Sequence, residues 1–320
     1  MSREYNCPHC YKQVNPCELL YFKPSCGDKL PPPALSLLQK MKLAASPSSI
    51  LCNKNNKSTC KTCNRRLSFR ACPICKGTIP TGVDGSPIII AITGASGTGK
   101  SSYIQSVITQ LRKLSEIFNW FLIQCDASTN KNTMFILRRS KGDKGKLIVL
   151  TEIAESELSP IAMNALSGMI YLIDPLQAEA AREEIQANGI TPLPAFTEHD
   201  PTHTLKRLAQ SNTTLPIAIT LTKLDTLIIS DAGYTGRWLL NSDERLVCQD
   251  SSSLGKINKK EQETIHCEME SWISTAYPGI QAITKKLQKY RFFGCSSIEP
   301  ALRVEDSLLW LLAQNKGINI

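Results

Sequence analysis

The chain has 320 residues, 42% of them hydrophobic, with 37 lysines and arginines against 28 aspartates and glutamates. That is apolar material enough for one large α/β domain and a small satellite, and it argues against extended disorder. The longest apolar runs, residues 88–92 and 308–312, fall far short of the roughly 20 residues a membrane helix needs, and no apolar export segment opens the chain, so cytoplasm is the expected compartment.

Charge and cysteine are concentrated at the start. Residues 1–80 carry thirteen basic and three acidic side chains, whereas the remainder is almost neutral, and nine of the 13 cysteines fall there too. Three Cys-x-x-Cys knuckles stand out: Cys7/Cys10, Cys60/Cys63 and Cys72/Cys75, with Cys26 and Cys52 between the first two and Cys17 as a spare. A two-residue gap lets both thiolates of a tight turn reach one ion, and closed structural zinc sites take four such ligands. These eight cysteines therefore suit two Zn²⁺ ions. Cys60/Cys63 could close a compact ribbon with Cys72/Cys75, or Cys7/Cys10 could interleave with a later pair. His9, inside the first knuckle, reads as a bystander. A redox role is disfavoured because redox Cys-x-x-Cys motifs come singly beside a βαβ pattern. The predicted module spans residues 1–80, and structural zinc would supply folding energy that so few aromatics cannot. Its basic residues Lys54, Lys57, Lys61, Arg65, Arg66 and Arg70 suit nucleic acid or an acidic protein partner, though no aromatic interleaving supports a nucleic-acid groove.

After a linker at residues 76–87, the run Ile88-Ile89-Ile90-Ala91-Ile92-Thr93 predicts a buried strand, and Ile104, Val107, Ile108, Leu111 and Leu114 are spaced for a helix. Between them, Gly94-Ala95-Ser96-Gly97-Thr98-Gly99-Lys100-Ser101 matches the phosphate-binding pattern G-x-x-x-x-G-K-[ST] in full. The glycines let backbone N–H groups close on phosphates at a helix N-terminus, Lys100 reaches the β/γ oxygens, and Ser101 ligates Mg²⁺. A second strand, residues 168–174, ends in Asp174 before Pro175. Asp174 is the expected second Mg²⁺ group, so Lys100, Ser101 and Asp174 form the predicted catalytic set. A turn or N-cap aspartate is the other reading, and the two roles are compatible.

The strand at 215–221 leads into Thr222-Lys223-Leu224-Asp225, which resembles the [NT]-K-x-D element that reads guanine. An aspartate there accepts from guanine N1–H and the N2 amine, whereas adenine leaves the carboxylate unpaired. Residues 291–294, followed by Cys295-Ser296-Ser297, read as a short strand and the loop that closes over guanine O6. GTP is thus preferred to ATP.

In this order the elements resemble the translation-factor and Ras-like superclass of P-loop GTPases. With the cysteine-rich start, Asp174-Pro175 and the tail Arg303-Val304-Glu305-Asp306-Ser307-Leu308-Leu309-Trp310, the chain is similar to the type-two prokaryotic double-GTPase family. That resemblance implies an α/β three-layer sandwich on a mostly parallel sheet across residues 87–320, beside the zinc module. It also implies protein partners in a multi-component GTP-dependent system, with conflict or phage defence as a candidate setting. Asp174-Pro175-Leu176-Gln177 departs from D-x-x-G, leaving Gln177 as a candidate water-positioning group and turnover dependent on a partner.

Residues 125–146, with Thr129, Thr133, Arg138 and Arg139, occupy the place of a first switch and read as a mobile basic loop. Inserts are predicted at 177–214, with His199 and His203 as loop histidines, and at 226–263. Later helices are predicted at 262–277, 280–290 and 300–315. Two rivals to a GTPase switch stay open: an ATPase of the same fold, and a zinc scaffold or nucleic-acid adaptor holding nucleotide structurally.

Overall fold

A computed structural model describes residues 5–15, 20–22, 69–80, 83, 85–125, 132–138, 144–179, 182–183, 186, 200–211, 214–230, 258–298 and 301–315. The strands are β1 (Tyr5–Asn6), β2 (Gln13–Val14), β3 (Leu20–Phe22), β4 (Phe69–Ala71), β5 (Thr78–Pro80), β6 (Ile88–Gly94), β7 (Phe121–Gln124), β8 (Asn132–Arg138), β9 (Lys146–Glu152), β10 (Gly168–Ile173), β11 (Ile217–Leu221) and β12 (Tyr290–Gly294). The described helices are α1 (Lys100–Ile117), α2 (Pro160–Ala165), α3 (Thr202–Gln210), α4 (Leu224–Ser230), α5 (Lys259–Ala276), α6 (Ile280–Thr284) and α7 (Asp306–Gln314). Seven strands form one sheet in the order β12-β11-β10-β6-β9-β8-β7. The expectation of an α/β fold on a mostly parallel sheet is met.

Two compact units divide the chain: Met1–Ile88 with Ile123–Val149, and Ile89–Leu122 with Leu150–Ile320. Within the first, β1 and β2 form an antiparallel hairpin, and β3, β4 and β5 a small antiparallel sheet.

The second unit is organised by parallel pairing. β10 joins β6 on one side and β11 on the other, and β11 joins β12. Every residue of β6, β10 and β11 is buried, which is why they read as continuous apolar runs without alternation. α1 buries one stripe, Tyr103, Ile104, Val107, Ile108, Leu111 and Leu114, and leaves the other side wet. α7 is buried at every position from Asp306 to Leu312 and packs across β10 and β11. Gly168 in β10 makes room for it, since a Cβ there would lie 2.9 Å from Leu311 Cδ2.

Several elements differ from the sequence reading. Residues 125–146 contain β8, with Thr133 inside it and Met134, Phe135 and Ile136 buried. Thr129 and Arg139 lie outside the described residues. His203 is in the first turn of α3, because Pro201 occupies the N-cap, where a missing N–H breaks no helical bond; His199 is outside the described residues. The helix predicted over 280–290 ends at Thr284, and Tyr290 already belongs to β12.

Candidate functional site

Parallel strands present their carboxyl ends along one edge, and β6, β10, β11 and β12 bring four segments there: Gly94–Ser101, Asp174–Gln177, Thr222–Asp225 and Cys295–Ser297. Such an edge is where open α/β sheets take ligands. The Gly94–Ser101 turn is tight. Gly94 has φ 146°, and a Cβ on it would meet Leu172 O at 2.4 Å, so no side chain fits. Gly99, left-handed at φ 82°, is the N-cap of α1. Thr98 Oγ1 donates to Ala95 O, and Lys100 Nζ folds back onto Gly94 O (3.1 Å) and Ala95 O (2.8 Å). The loop therefore ends at a helix N-terminus, whose first N–H groups have no intrahelical acceptor and carry partial positive charge.

β6 lies between β9 and β10 in the sheet, and each neighbour terminates at a carboxylate. Asp174 is expected at a magnesium ion with Ser101, directly or through water; the carboxylate bonded to Ser101 is that of Glu152, at 3.2 Å from the hydroxyl. Asp174 is wholly buried. Its Oδ1 accepts from Leu176 N at 3.0 Å, and its Oδ2 pairs with Lys223 Nζ at 2.5 Å. The alternative role, a turn-capping aspartate before proline, is therefore realised. Gln177, the water-positioning candidate, donates from Nε2 to Ser96 O at 2.9 Å.

Thr222 is stitched to β10 through its N–H and Oγ1, both bonded to Ile173 O. Lys223 follows in the left-handed region at φ 53°, a rare conformation for a side-chain-bearing residue. Asp225 Oδ1 accepts from Ser296 Oγ at 2.6 Å, and Ser297 O accepts from Ser106 Oγ of α1. Ser296 and Leu302 exchange both backbone hydrogen bonds, closing the loop between them. Arg303, which is 1% exposed, anchors the closed loop by ion pairs to Glu261 of α5 and Asp306 of α7. Burial pushes the neighbouring Cys295 thiol up, making it an inert core group.

The second candidate site is in the other unit. Cys7, Cys10, Cys72 and Cys75 bring four sulfurs within 4.8 Å of one another. Cys7 and Cys75 sulfurs are 3.6 Å apart, and those of Cys10 and Cys72 3.9 Å. A tetrahedron of sulfurs about 2.3 Å from one ion has edges of about 3.8 Å, so the donor set fits zinc. The interleaved pairing is the one formed. Cys26, Cys52, Cys60 and Cys63 lie outside the described residues.

Both knuckles have one design. Cys7 N bonds Lys12 O and Cys72 N bonds Gly77 O, while Tyr11 and Lys76, each following the second cysteine, adopt positive φ. The N–H groups of His9, Ile74 and Gly77 point at the sulfurs of Cys7, Cys72 and Cys75. Burial pushes the Cys75 thiol up to about 11 and raises Cys7 as well; at Cys72 burial is outweighed by the Cys75 and Ile74 N–H groups, leaving it below its ordinary value. Zinc would bind these sulfurs as thiolates, so its uptake would release protons. His9 is not among the four: its Nε2 is 2.8 Å from Thr78 O, and its ring covers Gly77, where a Cβ would clash at 2.3 Å. Asn132 Nδ2 of β8 bonds Pro8 O within the first knuckle.

Of the basic residues proposed for nucleic acid, Arg70 alone is among the described residues. It is spent internally, on Pro80 O and over the Tyr5 ring. Glu152 and the Gln177 to Ser96 bond are not among the expectations from sequence; the available signal for Glu152 is its place at the end of the apolar run Leu147-Ile148-Val149-Leu150 of β9. Comparison of the sequence with models of known protein families finds no match, and a search of curated proteins finds none.

Proposed function

We propose that this chain is a Mg²⁺-dependent GTP-binding protein, a GTPase switch of the P-loop superclass and of its prokaryotic double-GTPase branch, with a structural zinc at Cys7, Cys10, Cys72 and Cys75. One observation carries the reading: the glycine-rich turn, the Thr222–Asp225 element and the Ser296–Ser297 loop emerge from parallel strands of one sheet at the same edge, Ser296 bonding Asp225 and Ser297 O accepting from Ser106 in the helix that follows the glycine-rich turn.

The phosphates sit against backbone N–H groups from Gly94 to Ser101, and Lys100 leaves the carbonyls of Gly94 and Ala95 for the β/γ oxygens. Ser101 and Glu152 are the groups placed to hold Mg²⁺, which when bound neutralises charge on the β- and γ-phosphates. Guanine is read by Asp225, whose carboxylate Ser296 orients, with Lys223 along the base face.

The position three residues after Glu152 is Glu155, not glycine, and its carboxylate is engaged by Tyr171 Oη and Thr204 Oγ1. Glu155 has a backbone N–H but lacks the conformational freedom of the D-x-x-G glycine, and a protein partner completes the hydrolytic site and reads the nucleotide state.

The test is binding of labelled GTP and ATP, with Mg²⁺, to wild type and Asp225→Asn. Selective GTP binding that the variant loses supports the reading. Equal or ATP-preferring binding makes the protein an ATPase with a structural turn at Thr222–Asp225.

A further inference from the structure

Asp174 and Gln177 have side chains that the phosphate and magnesium chemistry does not use, yet both are essentially buried. They begin and end one 3₁₀ turn, Pro175–Gln177, that Asp174 caps through Leu176 N, while Gln177 N returns to Asp174 O. From opposite ends the turn grips two segments of the site. Asp174 Oδ2 takes Lys223 Nζ, and Gln177 Nε2 takes Ser96 O.

We propose that Asp174–Gln177 is a strut that sets base recognition and phosphate binding in register, Asp174 acting through Lys223 and Gln177 through Ser96. The inference rests on the nucleotide reading above. Lysine carries a long flexible stem whose ordering costs rotamer entropy. A buried carboxylate holding its ammonium fixes where that stem runs before any base arrives. The unusual φ of Lys223 and the two hydrogen bonds that Thr222 donates to Ile173 O fix its backbone as well. At the other end, the peptide between Ser96 and Gly97 is planar and trans, so its C=O and N–H point opposite ways. Fixing Ser96 O on Gln177 therefore fixes the Gly97 N–H on the opposite side of the same peptide. Both residues are positioning residues.

The experiment measures affinity of the full chain for Mg·GTP and for Mg·triphosphate, the inorganic anion without base or ribose, together with the Mg²⁺ dependence of each. Asp174→Asn is expected to weaken GTP about tenfold and to leave triphosphate affinity and the Mg²⁺ dependence unchanged. Lys223→Met should do the same, and the double variant should be no weaker than Lys223→Met alone. Gln177→Ala should weaken GTP and triphosphate by the same factor.

Loss of triphosphate binding with a shifted Mg²⁺ curve in Asp174→Asn would make Asp174 a metal ligand and overturn the proposal. Additive losses in the double variant would overturn it too. Where Asp174→Asn alone does not fold, the double variant, which buries no unpaired charge, is compared with Lys223→Met, and any further loss of GTP affinity counts against the strut. Wild-type protein that binds neither ligand brings down the nucleotide reading and this inference together. Wild type that binds GTP while all three single variants match it brings down the inference alone.

Discussion

Ser101 Oγ stands 3.2 Å from Glu152 Oε2, linking the first turn of α1 to the last residue of β9. A hydroxyl and a carboxylate so placed are oxygen ligands of the kind Mg²⁺ takes beside substrate phosphates. Glu152→Gln keeps the shape and removes the charge. It is expected to raise the Mg²⁺ concentration for half-maximal GTP binding by about tenfold or more, read from a Mg²⁺ titration with labelled GTP. An unchanged titration would remove Glu152 from the metal site.

The four-cysteine cluster predicts a ligand count. Cys72→Ser should lose one equivalent of zinc relative to wild type, measured by elemental analysis, and should become more sensitive to protease in residues 5–15 and 69–80. His9→Ala should keep its zinc, because the His9 ring bridges the knuckles through Thr78 O without belonging to the sulfur set. Zinc loss in His9→Ala would show that the imidazole ligates after all.

Arg303 lies between two buried carboxylates, Glu261 and Asp306. Removing only the cation strands both, and breaking such a buried pair costs about 3–5 kcal/mol. Arg303→Met should lower the denaturant midpoint accordingly. The triple change Arg303→Met/Glu261→Gln/Asp306→Asn should recover much of that loss, since no buried charge is then uncompensated. Equal destabilisation of the two variants would mean that packing of the Arg303 stem, not charge, is what counts.

His266 supplies a pH prediction. Its Nδ1 accepts from Phe292 N at 3.2 Å, which requires an unprotonated Nδ1. Burial, then the Arg291 guanidinium, lower its pKa against the opposing pull of Glu270 and Glu263. The folded-state value thus lies below the ordinary 6.5. Above that pH neither state holds the proton. As pH falls below it, the unfolded chain takes up a proton that the native chain refuses, so stability declines towards the folded-state pKa. Denaturant midpoints from pH 7.5 to 5 should fall in wild type more steeply than in His266→Asn. Parallel curves would refute the assignment.

How much could be read in advance depended on whether the determinant was local. The five apolar residues from Ile88 to Ile92 in β6, the glycine-rich turn and the stripe of α1 follow one another in the chain, and they appear as strand, turn and helix. Asp225 beside Ser296 was also legible, because each follows a recognisable apolar strand. Which carboxylate faces Ser101 was not legible. Both strands beside β6 end in one, and only the sheet order decides between Glu152 and Asp174. The same holds for the cysteines, where knuckle spacing announces a site while the partner knuckle comes from 62 residues away. β8 was hidden for a different reason. The charged residues from Arg138 to Lys144 dominate that stretch, and the buried Met134, Phe135 and Ile136 make a run too short to outweigh them.

The separation between the knuckles has a topological consequence. With an ion held by all four sulfurs, Cys10 and Cys72 become the ends of a ring whose circumference is set by the chain between them. Closing a ring grows more costly only logarithmically, by about 0.6 kcal/mol for each doubling of its length. Residues inside that ring can therefore be added, removed or replaced over generations at little cost to the clasp. A single proteolytic nick within it would not release the first dozen residues either; the two fragments would travel together until the thiols were stripped of their ion.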